Sequence, residues 1–437
     1  MELSHINFKD KRHMQYKEYE DMFNNYEDTM LDIRKLGFIN GQHPYIPISL
    51  PREVCLLYSD LSFSTPINAF AKNNEDANNA LDDLIEDNKL NTQLQEASLL
   101  VAYKGGVVFK NYLDNGKSRI TYIEPDYYFP VFSPSDKRKI ISETIAYPTQ
   151  DGYKKVILYT ETYQPDENGE YWCITETYKG KKAISRTEVN TKLTKSPLTY
   201  VPFLRSGSNF WGDSIYKGLT PLFDELNHRV TQIANILDKH SDPNLIADPS
   251  FFDENKNVPM GGKAFPVEEG EQEPKYITWN WSGEFNFNFI EEIILKALTY
   301  VSPMAPALYG LDDASQASGR SLMIKSWRSQ SLVKRSHTYW RDALKKILYL
   351  AQQLQNISGE KSYIPAIPNI ELSIALPVDS YETAQAEVLK VQGGVSSKKS
   401  AIARLNPHYT SKEIEEEWLE IVNEQVEQDN MQFVNRT

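Results

Sequence analysis

Apolar residues recur at steps of three and four over the first part of the chain. Tyr16, Tyr19, Phe23, Tyr26, Met30 and Ile33 line one face between about Lys9 and Leu36, which predicts an amphipathic helix. Gly37, Gly41, Pro44 and Pro47 break that pattern. A second helix is predicted over Pro51–Leu61, where proline suits the first turn. A third runs from Glu75 to about Leu100 and carries Leu81, Leu84, Ile85, Leu94 and Leu99. From Val101 the period drops to two. GGVVFKNYL and KSRITYIEP flank Asn115-Gly116, a pair that accepts the positive φ of a tight hairpin turn. IISETIAYP, KKVILYTETY, YWCITETYK and LTYVPFL continue in β-branched and aromatic residues separated by turn signals such as Asp166–Gly169. Residues 101–204 are therefore predicted as an antiparallel β region. With the helices before it, it makes one α+β domain.

From Gly212 the helical period returns. Leu219, Leu222, Phe223, Leu226, Val230, Ile233, Ala234 and Leu237 form a regular stripe, with Pro221 near the start and Pro243 as the stop. The helix is about 25 residues, roughly 35–40 Å. Residues 242–284 differ: five prolines, four glycines, and nine acidic against three basic residues. Strand-like pieces appear in NLIADP, KAFPVEE and KYITWNW, which predicts a small β-rich insert. A helix from about Phe287 to Val301 follows, then a segment, 302–318, broken by Pro303, Pro306 and Gly310. One long helix is expected from Ser321 to about Asn356. Leu332, Val333, Tyr339, Trp340, Ala343, Leu344, Ile347, Leu350, Ala351 and Leu354 share an arc of roughly 140° at 100° per residue. IELSIALP reads as a strand. Residues 379–437 read as acidic helix, interrupted at Gly393-Gly394 and Asn406-Pro407.

Charge narrows the chemistry. The net charge is −13, opposite to that of a globally basic nucleic-acid binder. Cys55 and Cys173 are the only cysteines, too few for a disulfide framework and without zinc-site spacing, so buried free thiols are expected. The N-terminal segment has no apolar signal core, and no apolar run nears the ~20 residues that span a bilayer, so a cytosolic, non-membrane protein is expected. Gly116-Lys117-Ser118 imitates the end of a phosphate loop, but Asn111 stands where the leading glycine belongs and the segment sits in a hairpin. Gly261-Gly262-Lys263 is followed by Ala264 instead of Ser or Thr. His5, His13, His43, His228, His240, His337 and His408 form no zinc motif and read as ordinary polar surface. No GxSxG elbow occurs, and no carboxylate pair is singled out. Neither a catalytic residue, a metal site nor a cofactor is expected.

One charge feature departs from the acidic background. Arg320, Lys325, Arg328, Lys334, Arg335, Arg341, Lys345 and Lys346 stand against a single acid, Asp342, and several of them lie opposite the apolar arc of the long helix. Two readings stay open: pairing with acidic surfaces of this chain or of a neighbouring copy, or salt-sensitive, sequence-blind contact with phosphates.

The order of parts resembles the portal (connector) proteins of tailed bacteriophages over nearly the whole chain. The matching pieces are GDSIYKGLTPLFDELNHRVTQIANIL, the acidic insert, the returning helix, ASGRSLMIKSW and the helix after it. The most specific are Gly212-Asp213 and Ser318-Gly319-Arg320-Ser321. The resemblance implies a non-enzymatic ring of twelve subunits at one capsid vertex, made in the host cytoplasm and carried in the virion, through which DNA enters and leaves. The protomer would have a wing (1–212 and 319–378), two stem helices (213–241 and 285–301), a clip (242–284), a tunnel loop (302–318) and a crown (379–437). Implied partners are further copies of the chain, double-stranded DNA passing non-specifically, the terminase large subunit, a head–tail adaptor, and major capsid and scaffolding proteins. Channel candidates are Asp312, Asp313, Ser315, Gln316, Arg320, Arg328, Lys334, Arg335 and Arg341. Clip candidates for partner contact are Asp253, Glu254, Lys256, Glu268, Glu269 and Glu271. The stem stripe is expected to find its cover on sister chains around the ring. The alternatives are another structural component of the particle, such as a minor capsid or adaptor protein, and a DNA-processing enzyme.

Overall fold

The computed structural model describes residues 5–25, 46–72, 74–150, 156–180, 182–241, 244–246, 275–277, 288–302, 304, 308, 323–374, 380–406 and 409–434. In chain order, helices α1 (Lys11–Asn24) and α2 (Leu50–Phe63) precede strand β1 (Asn68–Phe70) and helices α3 (Glu75–Asp87) and α4 (Leu90–Lys104). Eight strands follow: β2 (Gly106–Asp114), β3 (Lys117–Ile123), β4 (Tyr128–Ser133), β5 (Asp136–Gln150), β6 (Val156–Pro165), β7 (Tyr171–Lys179), β8 (Lys182–Asn190) and β9 (Leu198–Pro202). Then come α5 (Thr220–Ser241), β10 (Asn244–Ile246), β11 (Lys275–Ile277), a π-helical turn (Phe289–Leu295) and α6 (Lys296–Val301). The chain ends with α7 (Trp327–Ser358), β12 (Asn369–Glu371), α8 (Ser380–Gln392), α9 (Lys398–Leu405) and α10 (Ser411–Val434). Two compact units result, one from Met1–Asn24, Pro51–Lys217 and Ser302–Thr437, the other from Asn25–Leu50 and Gly218–Val301.

In the larger unit the β region is antiparallel, as its period predicts. β3-β2-β9 form one sheet and β4-β5-β6-β7-β8 another. β2 is apolar on both faces over Val107–Phe109, because both are covered there. Val108 points into a core with Ile123, Tyr128, Ile145, Tyr163, Leu198 and Phe210, which joins the two sheets. Its neighbour Phe109 turns the other way, towards Trp340 of α7, with ring centroids 6.1 Å apart. The small sheet is thus a middle layer between α7 and the larger sheet. Asn115 and Gly116 take φ of 50° and 78°, the geometry of a two-residue hairpin turn, so the Gly-Lys-Ser triplet belongs to that turn.

Several expectations shift. The helix predicted over 75–100 is two helices. Asn88 Nδ2 donates to Leu84 O (2.9 Å) while its Oδ1 accepts from Ile120 N (2.9 Å), and Lys89 turns to φ 48°. The asparagine amide competes for backbone groups and ties the break to β3. Of IELSIALP, Ile370 and Glu371 pair with β1, which has three residues, Asn68 to Phe70, and 372–374 are not strand; the rest of the segment lies outside the described residues. Among the histidines, His13, His228 and His337 are buried instead of lying on polar surface. Cys55 is buried, and Cys173 only partly so.

Gly212 owes its place to close backbone approach. A Cβ there would lie 2.1 Å from Gly105 O and 2.8 Å from Phe203 N. Gly105, at φ 78°, would in turn drive a Cβ to 2.5 Å from Gly212 O. The same backbone is held by Phe203 N donating to Gly105 O (2.9 Å) and Asp213 N to Leu204 O (2.7 Å). Both obstacles are main chain and cannot rotate away. Gly212→Ala is expected to cost about 2 kcal/mol, read as a lower urea midpoint at unchanged m-value.

In the smaller unit the stripe of α5 is not left bare. Leu219, Phe223, Leu226 and Ile233 are buried within the chain, as are Ile294 and Leu298 of the returning segment, which packs on α5. A strap also crosses the helix: Ile46 N donates to Thr231 Oγ1 (3.1 Å) and Ile48 N to Asn227 Oδ1 (2.8 Å). The expectation that this stripe needs sister chains is corrected for these four residues, which are buried within the chain; Leu222, Val230 and Ala234 are half-buried and Leu237 is exposed. β10 and β11 pair antiparallel from Asn244↔Ile277 to Ile246↔Lys275, bringing the two ends of the insert together.

Candidate functional site

The basic residues of α7 separate by burial. Arg328, Lys334 and Arg335 are exposed, and Lys334 lies over the Trp327 ring at 5.6 Å. Arg341 is half-buried and donates from Nε to Ile370 O (3.2 Å), which ties the helix to β12. Lys346 leaves the group. Its Nζ donates to Leu198 O (2.7 Å), and burial pulls its amine below the ordinary lysine range, partly offset by Glu143. Burial pushes the Glu143 carboxyl up in turn, against the pull of Lys346. The cleft beside them, about 630 Å³, mixes both signs of charge from Glu143, Lys195, Arg205, Asp342 and Lys346.

A second recess, about 580 Å³, opens on α7 at Gln330, Lys334, His337 and Arg341. These positions fall at i, i+4, i+7 and i+11, one stripe of the helix. Met323, Leu372 and Ile374 complete its lining. Gln330 Nε2 is committed to Met323 O (2.9 Å) and Ser326 Oγ (2.9 Å). His337 is 2% exposed, and its Nε2 has no hydrogen-bond partner. Burial lowers its pKa to about 4, opposed by a bond to the Ser62 backbone and assisted by Arg341, so the ring is neutral at pH 7. Reading the histidines as polar surface missed this site. The helical spacing was available, but residues 372–374, which turn the stripe into a recess, are distant in sequence.

Asp312, Asp313, Ser315, Gln316 and Arg320 of the tunnel-loop region lie outside the described residues, as do Asp253, Glu254, Lys256, Glu268, Glu269 and Glu271 of the insert. Among the described residues no group of three or more His, Cys, Asp or Glu side chains converges as a metal site would, and no helix is long and apolar enough to cross a membrane.

The fold is of the α+β class and resembles that of a chain solved in the neck of a phage-like particle. The neck of an empty GTA particle, solved with C6 symmetry, matches 86% of this chain and 98% of its own, at 12% identity and a TM-score of 0.50. The neck of a native GTA particle, solved with C12 symmetry, matches 81% and 89% at 13% identity and a TM-score of 0.47. No curated protein matches the chain. The model of the phage portal protein family, SPP1 Gp6-like, matches residues 9–428, and the chain belongs to that family. The family is a structural one.

Proposed function

We propose that this chain is the portal subunit of a phage-like particle. Copies of it form a ring, twelve by analogy, at one vertex of the capsid, and DNA passes through the ring on the way in and on the way out. The observation that carries this reading is the family match over residues 9–428. Two helical segments, α5 and Phe289–Val301, flanking an insert closed at its base by β10 and β11 support it.

In this reading residues 1–212 and 319–378 are the wing, 213–241 and 285–301 the stem, 242–284 the clip, 302–318 the tunnel loop and 379–437 the crown. The clip, through Asp253, Glu254, Lys256, Glu268, Glu269 and Glu271, receives the terminase large subunit first and the head–tail adaptor later. Scaffolding and major capsid proteins meet the outside of the ring. The role is mechanical, without catalysis. Asp312, Asp313, Ser315, Gln316 and Arg320 serve the channel, and Arg328, Lys334, Arg335 and Arg341 supply a modest basic element, Lys334 and Arg341 also lining the recess on α7. A duplex must slide, and affinity rises with the number of phosphates neutralised, so an acidic wall with few cations keeps the grip weak.

Negative-stain imaging and native mass measurement of the purified chain test this together. A mushroom-shaped ring with a central hole, retaining duplex DNA only at low salt, is expected. A lasting monomer, a ring without a hole, or divalent-dependent DNA cleavage by the pure protein would overturn it.

A further inference from the structure

The recess on α7 has three properties that together describe its occupant. It presents two cations, because neither Lys334 nor Arg341 is paired with a carboxylate among the described residues. It presents one buried acceptor, because neutral His337 offers the lone pair of Nε2 to nothing. Its remaining walls, Met323, Leu372 and Ile374, are apolar. A group that fills it must bring negative charge, an N–H donor and some aliphatic surface. An unmet buried acceptor is costly, so a donor there gains more than at an exposed site.

A DNA backbone fits these terms poorly. Phosphodiesters carry no N–H or O–H donor, and a duplex presents its phosphates on a stiff convex surface that cannot enter a recess floored by a side chain 2% exposed. A side chain on a helix can enter.

The chain itself carries such a helix. On α10, Glu416, Glu420 and Asn423 stand at i, i+4 and i+7, and all three are exposed. Leu419 beside them is 52% exposed, which supplies the aliphatic surface. The three residues line one shallow groove with Leu419. Carboxylate, amide donor and leucine match cation, bare acceptor and apolar wall. In a chain of net charge −13, a second copy gains by bringing its carboxylates to a cationic recess.

We propose that the recess formed by Lys334, His337, Arg341, Leu372 and Ile374 is a docking site for the acidic face of α10, Glu416 to Asn423, from a second copy of this chain. The inference rests on the ring reading above, and deepens it by naming one contact through which copies recognise each other.

Lys334 and Glu420 are exposed, so both can be reversed without opening a core. The full chain is compared as wild type, Lys334→Glu, Glu420→Lys and the two combined, by mass photometry over a concentration series. Circular dichroism melting and retention of a duplex at two salt concentrations are read on the same samples. Each single reversal is expected to raise the concentration for half-assembly at least about threefold, and the pair to restore it to within about twofold of wild type, with melting unchanged. Assembly unaffected by Lys334→Glu overturns the proposal. So does a loss that Glu420→Lys fails to rescue, which removes α10 as the occupant, and so does a loss of duplex retention alone, which makes the recess a phosphate site. A wild-type chain that never assembles overturns the ring reading itself, and that result is distinct from all of these.

Discussion

Replacing Trp340 by alanine is expected to remove about 4 kcal/mol from the stability of the larger unit. The indole is fully buried. It stands edge-on to Phe63, with centroids 4.8 Å apart at 74°, and to Phe109 at 6.1 Å and 75°. Its Nε1 donates to Tyr58 Oη (3.2 Å), which also bonds Ser336 Oγ. Truncation opens a cavity where α2, β2 and α7 meet, and backbone elements on three sides limit how far it collapses. It also removes one bond from a buried tyrosine hydroxyl, which keeps Ser336 and so is not orphaned. Urea unfolding followed by near-UV circular dichroism measures the loss. Trp340→Phe keeps most of the volume and is expected to cost less than half as much. A loss under about 2 kcal/mol for the alanine variant would show that the layer between α7 and the small sheet repacks freely, against the account given above.

The second large effect is electrostatic. Lys104 ends α4 with its side chain 1% exposed, surrounded by Glu124 Oε2 at 2.6 Å, Asp126 Oδ2 at 2.9 Å and Glu20 Oε2 at 3.0 Å. Burial alone would lower its pKa, but Asp126 and Glu124 more than offset that and raise it above the ordinary lysine value. Lys104→Met leaves three carboxylates facing one another around an apolar stem. Breaking a buried pair costs about 3–5 kcal/mol, and the lower end, about 3 kcal/mol, applies because Glu20 and Glu124 keep 45% and 42% of their side chains exposed. The sign with pH follows from the raised pKa. The stabilisation is complete below the unfolded lysine value of about 10.4 and fades only as pH rises beyond it. The deficit of Lys104→Met is therefore expected to be undiminished from about pH 6 to about pH 9, measured by urea unfolding at both ends. A deficit that vanishes within that range would mean that the ammonium is not what holds α1, α4 and the Glu124–Asp126 turn together.

Much of this architecture was legible from residue pattern. The drop from helical to twofold period near Val101 marks where α4 gives way to β2, and Asn115-Gly116 marks the first hairpin because few other pairs tolerate two successive positive φ angles. The apolar arc of α7, the breaks at Gly394 and Asn406, and the order of parts that identifies the family are likewise properties of the chain read alone. These signals are local: each depends on neighbours within a turn or a strand.

What stayed hidden depends on residues far apart in sequence. Asn88 splits a helix because its amide meets β3, and Gly212 is needed because Gly105 O lies where a methyl group would be. Helical counting places Lys334, His337 and Arg341 on one stripe, but burial of the histidine and enclosure by Leu372 and Ile374 arise from packing. The periodic stripe on α5 predicts cover from another subunit, yet Leu219, Phe223, Leu226 and Ile233 are already buried within the chain, where the Phe289–Leu295 turn packs on the helix. Sequence alone thus determined where most of the described helices and strands lie, which faces are apolar and which family the chain resembles. The tertiary structure decided which of those faces are already satisfied, because periodicity reports that a surface must be buried and only the spatial arrangement reports against what.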